Sequence, residues 1–316
     1  MRKAVKVVSR SSAIATPLRR AFSTSPAYEH APAFDKLGGP AAWRGSELGE
    51  SEWWGKKLTS AHLAELQAAT KACMESGTLS FDGDVPIGVG QHNFKLEATA
   101  ELVEAMAEEL ENGTGVTMLE GVPVAEYSLK ELGVMYLGLC SYLGHNVNQS
   151  SSGLRSKSRG FGMPLGHVKA EMRGKTPLDG KQSNNYFRLH TDRCDLITLL
   201  SVRTASKGGQ GRVASAVAVH DEMLERAPEL VPLLYSPIER IWEGGEGVIA
   251  LPIWAVHPET GKFTTQISPS YIENAQYVNG VRRLTQVTKC HGPPGRVAKP
   301  RRPVRVKAQG HAVSWG

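Results

Sequence analysis

The hydrophobic pattern of this chain changes period about halfway along, and no single-class fold accommodates both halves. Up to Leu143 the apolar residues recur at helical spacing. Leu63, Leu66 and Ala69 share one face of a segment that Ser60 is placed to cap. Leu102, Met106 and Leu110 do the same over 97–111, and Ser128 heads a third helix running to Leu143. "GVTMLEGVPV" (Gly115–Val124) interrupts them as a strand and turn. After Cys194 the segments are shorter and richer in β-branched residues: "CDLITLLSV", "IERIW", "VIALPIWAV" and "KFTTQIS". "HPETGK" (His257–Lys262) reads as a hairpin turn joining the last two. "VASAVAVHDEMLERAPEL" passes from a strand into a helix ending near Pro228, and "SPSYIENAQ" forms a short capped helix. Helices first and strands afterwards predict an α+β fold with a sheet or barrel at its centre.

Charge divides the chain differently. Residues 1–28 carry six basic residues and no acid, and residues 282–316 carry nine and no acid. Removing these from the net +6 leaves about −9 on the central body. A nucleic-acid binder carries its basic surface on the folded part, so that class is set aside. No apolar stretch reaches the eighteen residues of a membrane span. The N-terminal 1–27, rich in Arg, Ser and Ala and including "RRAFSTSPA", has the composition of a mitochondrial transit peptide, with a disordered basic tail as the alternative. A mitochondrial matrix location is therefore expected. Residues 28–52 are expected to be a linker, 53–286 the folded domain, and 287–316 a basic, disordered tail. Cys73, Cys140, Cys194 and Cys290 are widely spaced, without a C-x-x-C pair, and indicate neither a zinc site nor a disulfide framework.

The chemistry concentrates at "LHTDRCDLITLL" (Leu189–Leu200). In a strand, residues i and i+2 face the same way, so His190 and Asp192 would send an imidazole and a carboxylate into one space. That suits two ligands of a metal such as iron(II), with a second histidine completing a facial triad. A polar edge on an ordinary strand has the same pattern. About one His-x-acid is expected by chance in such a composition, and His257-Pro258-Glu259 supplies a second, inside the expected turn. His167 and His220 read as loop or helix-start residues. Asn184 and Asn185 either line a pocket or form a turn, Trp53 and Trp54 read as core packing, and 144–180 is a lid or a surface loop.

"NNYFRLHTDRCDLITLLSVRTASKGGQGRVASAVAVHDEM" (Asn184–Met223) resembles the taurine/2,4-D dioxygenase-like (TauD/TfdA) family. The likeness lies in H-T-D, the apolar strand after it, a Gly-Gly turn and a small-residue segment leading into a helix. "GVTMLEGVPV", "YLGLCSYLG" and "NQSSSG" look like the fungal branch. The resemblance implies a double-stranded β-helix (distorted jelly-roll) with flanking helices, incomplete at its C-terminal end. It also implies iron(II) bound by His190 and Asp192, 2-oxoglutarate as cosubstrate, and hydroxylation of a small organic molecule. Two departures stand out. Gly211 occupies the place where many members carry a Thr or Ser touching 2-oxoglutarate. After "VRRLTQ" (Val281–Gln286) the chain lacks the expected closing strands with their second iron histidine and carboxylate-gripping arginine; His291 with Arg301 or Arg302 is a weak substitute. An inactive, truncated relative that keeps the fold without a complete iron site is the competing expectation.

Overall fold

The structure, a computed structural model, describes residues 34–50, 55–148, 163–169, 172–173, 176–177, 188–192, 194–205, 209, 211–241, 247–257, 260–281, 284 and 312–315. Trp53, Trp54, Asn184, Asn185, His291, Arg301 and Arg302 lie outside these residues, as do residues 1–27. In chain order the helices are α1 (Gly45–Glu50), α2 (Ser60–Glu75), α3 (Ala98–Asn112), α4 (Leu129–Cys140), α5 (Ala216–Arg226), α6 (Val231–Tyr235) and α7 (Pro269–Ala275). The strands are β1 (Gly55–Lys57), β2 (Ser80–Asp82), β3 (Val85–Ile87), β4 (Met118–Glu120), β5 (Met172–Arg173), β6 (Thr176–Pro177), β7 (Thr198–Leu200), β8 (Ile238–Ile241), β9 (Val248–Leu251), β10 (Trp254–Val256), β11 (Phe263–Thr265) and β12 (Ala312–Trp315). The α+β expectation holds. Among the described residues no sheet closes into a barrel: one four-stranded sheet, β1-β4-β12-β7, stands beside four two-stranded pairs.

The first core forms where α2, α3 and α4 bury their apolar faces, with Leu66, Met106, Leu132, Val134 and Met135 almost fully enclosed. Local chemistry fixes the helix ends. Ser128 accepts from the Glu131 backbone while Glu131 reaches back to the Ser128 N–H, a capping box of the expected kind. The start of α2 shifts by one residue: Thr59, not Ser60, is the cap, paired with His62. Glu97, at the cap of α3, makes no side-chain cap bond. Glu65 of α2 does this work instead, accepting from the backbone N–H groups of Glu97, Ala98 and Thr99. Burial pushes the Glu65 carboxyl up, but the hydrogen bonds it accepts outweigh this and hold it below its ordinary value. Within α4, a Cβ at Gly138 would lie 2.4 Å from the Phe94 ring, so only glycine lets this helix approach the core so closely.

The second core gathers Val231, Leu234, Ile253, Trp254 and Ile272 from α6, the β10 hairpin and α7. The strands on either side of "HPETGK" pair antiparallel as expected of a hairpin, β10 on β11 with Trp254 opposite Thr265. "VIALPIWAV" splits at Pro252 into β9 and β10, because proline has no N–H to give a ladder. His220 is not a loop or helix-start residue: it lies mid-α5, 1% exposed, against the rings of Trp254, Phe263 and Tyr235. The strand expected before α5 is absent, residues 211–215 leading straight to the Ser215 cap.

Two expected boundaries need correction. The linker is part of the fold from Phe34 onward. Phe34 packs on Tyr235 of the second core, and Trp43 is buried with Leu48 and Val116. Between them, Asp221 of α5 accepts from the N–H groups of Leu37 and Gly38. The tail also contributes a strand. β12 lies antiparallel between β4 and β7, its "AVSW" carrying β-favouring Val and Trp into a gap between two otherwise unpaired edges.

Candidate metal centre

His190 and Asp192 come together as the spacing predicts. His190 Nε2 lies 3.6 Å from Asp192 Oδ1, and both side chains are partly open to solvent. The means differs from the expectation, because the pair is not on a laddered strand. Only Thr198–Leu200 of the apolar run pairs in the sheet. The segment 188–192 is held instead by side chains and two backbone contacts. Between the pair, the Thr191 N–H donates to the Ile267 carbonyl at 2.9 Å. The Ile267 N–H returns a bond to Thr191 Oγ1, also at 2.9 Å. On the near side, the Arg188 guanidinium grips both oxygens of Glu273 on α7, at 2.9 and 2.7 Å. These bonds hold the Glu273 carboxyl below its ordinary value.

The imidazole is oriented by the same segment. His190 Nδ1 is 2.8 Å from the Arg188 carbonyl, which can only accept, so Nδ1 carries the proton. In the neutral ring the lone pair then sits on Nε2, the nitrogen facing Asp192. A metal with bonds of about 2.1 Å to nitrogen and oxygen can reach both atoms across the observed gap. A backbone carbonyl behind the ligating ring is also the usual device for fixing its tautomer. The two residues therefore fit a divalent metal, and imidazole with carboxylate fits iron(II). Among the described residues no group of three or more His, Cys, Asp and Glu side chains surrounds a common point.

The remaining candidates separate clearly. His257 is exposed in the β10–β11 turn, where its ring accepts from the Thr260 N–H at 3.3 Å. His167 is exposed on the loop 163–169, and Gly211 has open space where a Cβ would stand. Sequence reasoning missed three supporting residues: Arg188, Glu273 and Arg240. Arg240 of β8 is 3% exposed and donates to the carbonyls of Leu251, Pro252 and Gln266, fixing the backbone beside Ile267. Only Arg188, two residues from His190, carried any local signal.

The sheet gives the centre its direction. Trp315 of β12 pairs opposite Thr198, at the start of β7. The C-terminal end of β12 thus meets the end of β7 from which the chain leads back to Asp192 and His190. Thr198 ties this end to the first core through hydrogen bonds with Tyr136 Oη and Cys140 Sγ. Burial pushes the Cys140 thiol up to about 12, which keeps it protonated and unreactive.

A paired imidazole and carboxylate on an α+β scaffold is the arrangement that the comparisons with known proteins bear on. The family model for the taurine catabolism dioxygenase TauD, TfdA family matches residues 80–288, and the chain belongs to that family. Its members depend on iron(II) and 2-oxoglutarate. FR-33289 synthase of Streptomyces rubellomurinus is 30% identical over 209 residues, covering 66% of this chain and 58% of that protein. Taurine hydroxylase-like protein SAT17 of Stachybotrys chartarum is 24% identical over 208 residues, covering 66% and 52%. The chain thus spans little more than half the length of these relatives. No helix among the described residues is long and apolar enough to cross a membrane.

Proposed function

We propose that this chain is a non-haem iron(II)/2-oxoglutarate-dependent dioxygenase that hydroxylates a small organic molecule, with His190 and Asp192 as two ligands of the iron. The observation that carries this is the approach of His190 Nε2 to Asp192 Oδ1 with Nδ1 committed to a backbone carbonyl, inside the segment that the family model matches. The bound iron supplies the activation of dioxygen, coupled to oxidation of 2-oxoglutarate to succinate and carbon dioxide. The chain's part is to hold two coordination positions, keep the imidazole in its ligating tautomer, and leave the opposite side for cosubstrate. The double-stranded β-helix is part of this proposal, as the scaffold that would close around the centre.

The competing reading, an inactive relative with an incomplete iron site, separates in one measurement. Protein loaded with iron(II) and supplied with 2-oxoglutarate and oxygen is expected to form succinate, slowly where no substrate is present, and Asp192→Ala is expected to form none. Equal succinate from both proteins, or none from either, contradicts the enzyme reading.

We further propose the mitochondrial matrix as its location, on the composition of residues 1–27 alone. Import into isolated mitochondria followed by N-terminal sequencing is expected to give a start within Ser23–Ala27. An intact Met1 contradicts this.

A further inference from the structure

The metal pair sits on a segment with no ladder partners, yet its two ligating atoms are aligned. Two anchors bracket His190. One is the reciprocal clip between Thr191 and Ile267, a backbone bond in one direction and a bond to the Thr191 hydroxyl in the other. The other is the two-bond grip of Arg188 on Glu273. Both anchors end on one stretch of chain, from Ile267 through α7, which is seated on the second core by Ile267 and Ile272. The residue gripped by Glu273 is also the one whose carbonyl holds the His190 ring. Loss of the grip frees the Arg188 end of the segment while the clip at Thr191 stays, so that a pivot about Thr191 moves the Arg188 carbonyl and swings Nε2 away from Asp192.

We infer that α7 is the support that aligns the metal pair, and that Glu273 is a positioning residue acting through Arg188 on the His190 imidazole. The inference rests on the proposal that His190 and Asp192 bind a metal. Glu273 touches neither ligand, is about half exposed, and lies 85 residues from Arg188 in sequence. A surface ion pair of this kind ordinarily contributes little to stability. Its effect is therefore expected in metal affinity, with little change in unfolding.

Cobalt(II), whose visible spectrum reports ligand geometry, is the probe, titrated into the full chain. Glu273→Ala is expected to weaken binding about tenfold, at the lower end of what outer partners of a metal ligand contribute. Glu273→Gln, which keeps one acceptor for Arg188, is expected to fall between wild type and Glu273→Ala. Glu111→Ala removes a comparable surface partner, that of Lys262, and is expected to leave cobalt affinity and spectrum unchanged. Urea unfolding of the three variants should match wild type closely. Wild-type cobalt affinity in both Glu273 variants, with binding lost in His190→Ala, overturns the positioning role while leaving the metal assignment in place. Equal cobalt binding by wild type and His190→Ala overturns the metal assignment, and this inference with it.

Discussion

Arg240→Ala is expected to destabilise the protein by about 3–5 kcal/mol, a large share of the 5–15 kcal/mol typical of a folded domain. The guanidinium is buried on β8, donating to the Leu251 carbonyl at 2.7 Å, the Gln266 carbonyl at 3.1 Å and the Pro252 carbonyl at 3.3 Å. Replacing a buried ion pair with apolar residues is often neutral, because both charges leave together. Three of the Arg240 acceptors are backbone carbonyls that no side-chain substitution removes, and each left without a donor costs about 1–3 kcal/mol. Arg240→Met, which retains the volume, is therefore expected to be nearly as damaging as alanine. Arg240→Lys keeps the charge but not the planar fork, and should recover less than half of the loss. Urea denaturation of the three variants measures this, and a methionine variant as stable as wild type contradicts it. The loss is expected to reach the metal centre too, since Gln266 precedes the Ile267 that clips Thr191.

Elements whose determinants are local were legible in the sequence. Ser128 and Glu131 are three residues apart, so the start of α4 could be placed from the string alone. The β10–β11 hairpin announced itself through its turn, and His190 and Asp192 through their i, i+2 spacing. What stayed hidden depends on partners remote in sequence. "AVSW" is four residues inside a basic, proline-rich stretch, too short to announce a strand without its partners β4 and β7. The segment from Phe34 to Trp43 is Gly/Pro-flanked and reads as linker until α5 supplies Asp221 to its backbone. In "IERIW", Arg240 looks like the polar face of a strand, yet it is the most buried residue of β8, because the carbonyls it serves come from β9 and the end of β11. The segment carrying His190 and Asp192 was expected on a strand and is held instead by the Thr191–Ile267 clip and the Arg188–Glu273 grip, which no periodicity encodes.

The same segment carries the second large effect. On the proposed metal role, His190→Ala and Asp192→Ala each remove one of two candidate ligand atoms that stand 3.6 Å apart, leaving the other to hold the metal without it. The loss of iron(II) affinity is expected to exceed about 100-fold, beyond what outer partners of a ligand contribute. His257→Ala alters the other His-x-acid sequence, whose histidine stands exposed in the β10–β11 turn, and is expected to bind iron as wild type does. Anaerobic equilibrium titration of iron(II) into the four proteins is the direct measurement. The account predicts one iron per chain for wild type and His257→Ala, with none retained by His190→Ala or Asp192→Ala at the same concentrations. Equal affinity across all four proteins, or equal losses in all three variants, would contradict it.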